Sequence, residues 1–296
     1  MKKIGIDLGG TKIEGVLIDQ NADGTFTEVR RMRVPTEREK GYDAILEKIT
    51  SVVEVMRSAA GERPPVGIGT PGSVRPDSGH LEGSNTVVMN GKPVLEDLEA
   101  RLHQKIHLEN DANCFALAEA RAGAGRGHRM VFGVIVGTGC GGGLILDGKI
   151  WTGRHAIGGE WGHMKIDPLG PDCYCGHRGC VETLISGGGL ERRWKAEHGA
   201  SKSLPDIFRD YRSGGAAETA FVTRFFDDYG RSLANLINAL DPDCIVLGGG
   251  LSQEEDLTRQ GYEAIRRYAF TKNLRTPILK HALGDSAGVF GAAMLA

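Results

Sequence analysis

Two stretches of the chain repeat one design. Ile4-Gly-Ile-Asp-Leu-Gly-Gly-Thr-Lys-Ile-Glu-Gly-Val-Leu-Ile-Asp19 reads as an apolar strand, a Gly/Thr turn, a second apolar strand and a closing Asp. Val134-Ile-Val-Gly-Thr-Gly-Cys-Gly-Gly-Gly-Leu-Ile-Leu-Asp147 reads the same way. A glycine has no Cβ to hold an anion away from the backbone N–H groups, and it tolerates positive φ. One such hairpin is an ordinary structural unit. Two with matched flanks point to two related halves, whose turns could close on one triphosphate from opposite sides.

The 296 residues exceed one comfortable core, so two domains are expected. Strand and helix patterns alternate, which places the chain in the α/β class. The 44 glycines fall in short clusters between apolar runs and so mark turns. A formal charge of −2 gives no electrostatic case for nucleic acid or an anionic membrane. No apolar run approaches the roughly 20 residues that cross a bilayer. The N-terminus enters a strand without a signal-peptide core, and a cytoplasmic location is expected.

After the first hairpin, Asp23-Gly24 reads as a turn and Phe26 to Val34 as a third strand. Tyr42 to Ala60 is an amphipathic helix with Ile45, Ile49, Val52, Val53 and Met56 on one face. Val66 begins a buried strand that enters the Gly69-Thr70-Pro71-Gly72 loop. Leu95 to Leu102 is a short helix, Ile106 to Leu108 a strand, and Ala112 to Ala122 a helix ended by Gly123 to Gly127. The second half opens with strand Val131 to Val136, followed beyond its turn by a long loop region from Trp151 to Cys180. Phe221, Phe225, Tyr229, Leu233, Leu236 and Leu240 form a core stripe on a helix from Glu218 to Leu240. Asp243 to Leu247 is a buried strand, and the segment from Gly284 ends as a small-residue helix.

His163, Cys173, Cys175 and Cys180 read as the donor set of a closed tetrahedral zinc site, the alternative being three incidental buried cysteines. Clustered thiols in a reducing compartment more often bind metal than form disulfides. Gly176 and Gly179 let the chain fold back around the ion, and a closed Cys₃His site pins a loop too small to hold itself. Cys114, Cys140 and Cys244 sit in apolar or Gly-rich surroundings and read as packing residues. Asp111 stands where a strand passes into a helix. It is either a base that accepts a hydroxyl proton during phosphoryl transfer or the helix N-cap. Asp7 ends the first strand beside Gly9, Gly10, Thr11 and Lys12, where a carboxylate could hold Mg²⁺ through water near bound phosphates. Glu160 and Glu182 are either hydrogen-bond acceptors for sugar hydroxyls or solvated surface charges. The Gly248-Gly249-Gly250 turn either packs an adenine or makes a tight strand-to-helix connection.

Together these residues resemble the ROK family of sugar kinases, within the actin-like ATPase superfold, over nearly the whole chain. Asp7-Leu-Gly-Gly-Thr-Lys12 resembles the family's first phosphate motif, and Val136-Gly137-Thr138-Gly139-Cys-Gly-Gly-Gly143 its second. Glu109-Asn-Asp-Ala-Asn113 resembles the segment with the catalytic aspartate, which falls on Asp111. Gly159-Glu-Trp-Gly-His163 and Cys173-Tyr-Cys-Gly-His-Arg-Gly-Cys-Val-Glu182 resemble the sugar-and-zinc signature. The resemblance implies an α/β fold of two actin-like (ribonuclease H-like) domains flanking a central cleft, with the zinc-pinned loop in the larger. Residues 1–109 plus 285–296 would form the smaller domain and 110–284 the larger. It implies ATP-dependent phosphorylation of a hexose at the 6-hydroxyl, with Mg²⁺, structural Zn²⁺ and a homodimeric assembly. Asn110, Asp111, Glu160, His163 and Glu182 would touch the sugar. Asp7, Gly9, Gly10, Thr11, Lys12, Gly137, Thr138, Gly139, Gly249 and Gly250 would hold the nucleotide.

The stretch Asn85-Thr-Val-Val-Met-Asn-Gly-Lys-Pro93, with Thr70 and Gly72, should wall the sugar pocket. It resembles the fructokinases and mannokinases of the family more than its glucokinases, so fructose is the first expectation. N-acetylglucosamine kinases share the Gly91-Lys92-Pro93 tail and are the alternative, with glucokinases. Thr70 stands where the family usually has Ile or Val. The sequence leaves ATP and polyphosphate both open as donors. A ROK-type sugar-responsive repressor would need a helix-turn-helix domain before the first phosphate motif, and only three residues precede Ile4. A filament-forming ATPase of the actin superfold would have no use for the zinc loop.

Overall fold

The computed structural model describes every residue except Asp23, so the expected Asp23-Gly24 turn lies in part outside the described residues. In chain order, β1 (Lys2–Leu8), β2 (Lys12–Gln20) and β3 (Phe26–Pro35) form an antiparallel meander, followed by α1 (Tyr42–Ala60). Then come β4 (Val66–Thr70), the small hairpin β5 (Ser73–Val74) and β6 (Leu81–Glu82), α2 (Val94–Leu102), β7 (His107–Asn110) and α3 (Asp111–Ala122). The second half runs β8 (Met130–Val136), β9 (Cys140–Leu146), β10 (Lys149–Ile150), α4 (Val181–Ile185), α5 (Gly187–His198), α6 (Leu204–Arg212) and α7 (Ala216–Leu240). It closes with β11 (Cys244–Gly248), α8 (Tyr262–Tyr268), β12 (Ile278–Lys280) and α9 (Ala287–Leu295).

The two halves seen in the sequence are two sheets with one plan. The first has the order β3-β2-β1-β4-β7, the second β10-β9-β8-β11-β12. In the first, β1 is antiparallel to β2 and parallel to β4, and β4 is parallel to β7. In the second, β11 runs parallel to both β8 and β12. By packing, the chain divides into an N-terminal unit (Met1–Arg129, Gly143–Gly159, Ala282–Ala296) and a second unit (Met130–Gly142, Glu160–His281). Helix α3 goes with the N-terminal unit because it packs against α9.

The core of the N-terminal unit explains its strands. Ile4, Ile6, Leu8, Ile13 and Leu17 are buried with Ile45, Ile49, Val52, Val53 and Met56, the expected face of α1. On the other side of the sheet α9 lies almost flush on β1 and β4. A Cβ on Gly67 would stand 1.9 Å from the Ala292 carbonyl oxygen and one on Gly5 2.2 Å from that of Val289. Both faces of this sheet are therefore covered at β1 and β4, while the edge strand β3 is mostly exposed and charged.

In the second unit Phe221, Phe225, Tyr229, Leu233 and Leu236 of α7 are buried as expected, while Leu240 is partly exposed. The region from Trp151 to Cys180 is irregular, with a single turn of 3₁₀ helix at Trp161–His163. The sequence reading did not anticipate β5, β6, β10, α4, α5, α6, α8 or β12. Helix α5 shows why: it begins with three glycines, which have the poorest helix propensity after proline. It starts there because the Ser186 Oγ accepts from Gly189 N at 3.0 Å. Among the described residues no helix is long and apolar enough to cross a membrane.

Candidate active site

In the N-terminal unit the first Gly-rich turn is tight. Gly9 N donates to Lys12 O at 2.9 Å, and the Gly10 and Thr11 amides have no partner in the chain among the described residues. Unused N–H groups on a Gly turn are what an anion needs. Asp7 is the penultimate residue of β1, its carboxylate 3.8 Å from the position of a Cβ on Gly69 and 3.5 Å from that of one on Gly288. Burial, with the Asp111 and Glu14 charges nearby, pushes its pKa up to about 7. Lys12 is exposed, its ammonium 3.7 Å from Glu14. Glu14 is buried, which opposes its charge, but hydrogen bonds from Arg33 and Ser286 together with the Arg33 and Lys12 charges hold its pKa below normal.

Asp111 is the first residue of α3, and the N-cap is Asn110. The Asn110 Oδ1 accepts from Ala112 N at 2.9 Å and Asn113 N at 3.3 Å. The capping alternative for Asp111 is thereby filled by its neighbour. One Asp111 oxygen accepts from Ala112 N at 2.8 Å. Asn110 also donates through Nδ2 to Gly72 O at 3.1 Å, which ties the α3 start to the Gly69–Gly72 loop. Thr70 is buried, pairs with Asn110 across β4 and β7, and turns its hydroxyl onto Pro71 O at 3.3 Å. Asn85 is exposed, its Oδ1 3.9 Å from the place of a Cβ on Gly10. The N-terminal unit therefore gathers Asp7, Gly10, Asn85, Gly72, Asn110 and Asp111, while the Thr70 side chain faces inward.

In the second unit the turn carbonyls of Gly137 and Thr138 accept from Gly187 N (2.8 Å) and Gly188 N (3.2 Å) of α5. Glu182 accepts from Cys140 N at 3.0 Å, just beyond Gly139. Gly249 has φ 79, and a Cβ there would stand 2.5 Å from Val136 O, so this turn is a close strand-to-helix connection. Gly250 N lies 4.0 Å from the place of a Cβ on Gly137. Glu160, nearly half exposed, has a carboxylate oxygen 4.0 Å from His163 Nε2. The same nitrogen is 3.0 Å from the Tyr174 hydroxyl.

The ligand atoms of His163, Cys173, Cys175 and Cys180 all lie within 4.8 Å of one another. Tetrahedral zinc with Zn–S near ~2.3 Å has S···S edges of about 3.8 Å. Cys175 Sγ is 3.6 Å from Cys180 Sγ, and Cys173 Sγ is 3.7 Å from His163 Nδ1. The donor set thus fits zinc with Nδ1 turned inward and Nε2 outward. Gly179 has φ 64, and a Cβ there would stand 1.5 Å from Asp167 O, so the fold-back requires glycine. Cys114, Cys140 and Cys244 are buried, as packing residues should be.

The model of the ROK family matches residues 3–296. The chain belongs to the ROK family. An N-acetyl-D-glucosamine kinase of Yersinia pseudotuberculosis is 39% identical over 98% of this chain and 97% of its own. A ROK hexokinase from Thermus thermophilus has a TM-score of 0.89 at 34% identity, covering 100% of this chain and 98% of that one. A ROK family glucokinase from Streptomyces griseus, solved with glucose and AMPPNP, has a TM-score of 0.80 at 29% identity, covering 100% and 99%. The α/β fold of two sheets is that of these ROK structures.

Three features of this ROK chain were not anticipated. Asn90 clamps the loop after β6, accepting from Ser84 N at 2.8 Å and donating to Ser84 O at 2.9 Å. Glu109 accepts from Asn110 N at 2.8 Å and Asn113 Nδ2 at 3.0 Å, fixing the backbone before Asp111. Glu119, fully buried, accepts from Ala282 N, Leu283 N and Ala124 N at 2.9–3.1 Å and so anchors the approach to α9. The sequence signal for Glu119 was a carboxylate among the apolar residues Ala116, Leu117, Ala118 and Ala120.

Proposed function

We propose that this chain is an ATP-dependent sugar kinase whose preferred substrate is N-acetylglucosamine, phosphorylated at the 6-hydroxyl. The observation that carries the reading is end-to-end identity of 38–39% to N-acetyl-D-glucosamine kinases from several bacteria. These relatives favour the N-acetylglucosamine alternative over the fructose expectation. A short stretch after β6 cannot outweigh similarity along the whole chain. AMPPNP in the Streptomyces griseus neighbour supports ATP as the donor.

Asp111 accepts the proton of the sugar hydroxyl as that oxygen engages the γ-phosphorus. The Gly10, Thr11, Thr138 and Gly139 amides donate to phosphate oxygens, while Gly137 N is held by Gly139 O at 2.9 Å and shapes the turn. Gly249 and Gly250 adjoin the nucleotide. Asp7 would hold Mg²⁺ through water, and when bound this ion supplies neutralising charge to the phosphates. Gly72, Asn85, Asn110, Glu160, His163 and Glu182 bind the sugar. His163, Cys173, Cys175 and Cys180 would hold zinc, which fixes the loop bearing Glu160 and His163.

A coupled ADP-release assay with N-acetylglucosamine, N-acetylmannosamine, glucose, mannose and fructose tests this. The highest kcat/KM should be for N-acetylglucosamine. A higher value for fructose would restore the first expectation, and no turnover with any sugar would end the kinase reading.

A further inference from the structure

After β3 the chain doubles back over the first Gly-rich turn. Thr36, fully buried, fastens it there: its N–H donates to Thr11 O at 2.9 Å and its Oγ1 to Gly9 O at 2.7 Å. The next residue, Glu37, is held in the left-handed region at φ 51, ψ 49. A non-glycine residue there costs of order ~1 kcal/mol and persists only where its surroundings impose it. Here they do. The Glu37 carboxylate accepts from Lys40 at 2.9 Å and from Lys48, whose ammonium also donates to Pro35 O at 2.8 Å. The consequence of this bend is the position of Arg38. Its Nη1 lies 4.0 Å from the place of a Cβ on Gly10, on the turn that Asn85 also approaches.

The Arg38 guanidinium has no hydrogen bond or ion pair to the chain among the described residues, while its carbonyl accepts from Gly41 N at 3.2 Å. Arg31 and Arg33, close by on β3, are committed to Glu14, and Arg31 also to Glu28. A strained, doubly anchored bend thus presents an uncommitted guanidinium beside two uncommitted amides. A planar fork of donors suits two phosphoryl oxygens at once, which an ammonium does not match.

We propose that Arg38 is a catalytic residue that contacts the phosphoryl group in transit at the Gly10 turn. This rests on the kinase reading. In the step, the bond from the γ-phosphorus to its bridging oxygen breaks, and ADP leaves with that electron pair. The sugar oxygen forms the new P–O bond, and its proton passes to Asp111. Arg38 gains and loses no proton. It donates hydrogen bonds to the oxygens on which charge gathers.

The test is Arg38→Ala and Arg38→Lys, measured for kcat, KM, melting temperature and rescue by millimolar guanidinium ion. Arg38→Ala should lower kcat about a hundredfold, leave the sugar KM and the melting temperature unchanged, and recover activity with guanidinium. Arg38→Lys should recover only part of the loss. A kcat within about twofold of wild type in Arg38→Ala overturns the proposal, as does a loss that comes with a lower melting temperature and resists rescue. Calorimetric binding of inorganic tripolyphosphate reads the same contact without turnover: about tenfold weaker in Arg38→Ala supports it, equal affinity overturns it. A wild type that turns over no sugar while the tripolyphosphate difference persists would end the kinase reading and leave the Arg38 contact standing.

Discussion

Replacing Asp7 by Asn should make the protein more stable while removing its activity, and the size of the effect follows from the site. The Asp7 carboxyl is drawn out of water next to the Asp111 and Glu14 charges, and its pKa rises from 3.8 to about 7. A raised carboxyl pKa means the folded chain holds a proton that the unfolded chain has released. Stability therefore falls as pH rises from about 4 to about 7, and is level above that. About three units at ~1.4 kcal/mol each is a cost of about 4 kcal/mol at pH 8, against about 1.5 kcal/mol at pH 5. Asn carries no charge at either pH, so the advantage of Asp7→Asn over wild type should grow by about 2–3 kcal/mol between pH 5 and pH 8. Urea unfolding of both proteins in Mg²⁺-free buffer, followed by circular dichroism, measures this directly. Added Mg²⁺ should stabilise the wild type at pH 8 and not the variant. A pH-independent difference between the two, or a variant less stable at pH 8, would refute the argument that Asp7 is a carboxylate held at a cost for a cation.

Asp111→Ala should lower kcat by two to four orders of magnitude while calorimetry still shows sugar binding; near-normal turnover would remove Asp111 from its role as base. Cys175→Ser should reduce zinc from one ion per chain to none by atomic absorption and raise the sugar KM, and a wild type purified without zinc would remove the site. Gly179→Ala drives a Cβ to 1.5 Å from Asp167 O, so it should cost at least about 2 kcal/mol and release zinc in parallel; unchanged melting would show that the fold-back is not rigid. Light scattering of the purified protein should give the mass of a homodimer.

Much of the fold could be read because its signals were local. Ile45, Ile49, Val52, Val53 and Met56 keep helical spacing, and each hairpin pairs an apolar run with its successor across glycines. What escaped were elements whose reason is tertiary. Helix α5 begins on glycines because its first amides serve the Gly137 and Thr138 carbonyls. Strand β12 is three residues long, and only β11 beside it makes it a strand. The preferred sugar was expected from a local stretch to be fructose, while similarity along the whole chain favours the N-acetylglucosamine alternative; substrate choice depends on a pocket assembled from distant segments.

The site divides the same way. Residues whose chemistry is carried by their own type and spacing, such as His163, Cys173, Cys175 and Cys180, were visible as a pattern, and their donor atoms lie within 4.8 Å of one another in the structure. Asp111 was ambiguous because an aspartate where a strand passes into a helix suits a base and an N-cap alike. Only coordinates show that Asn110 takes the cap and leaves Asp111 one position inside. Arg38 is the extreme case. In sequence it is one charge in Glu37-Arg38-Glu39-Lys40, with a glutamate on either side. The structure turns Glu37 into the left-handed region and gives its carboxylate to Lys40 and Lys48. A cation becomes available to a ligand through the disposal of the anion beside it, and that disposal is a property of backbone geometry that composition does not record.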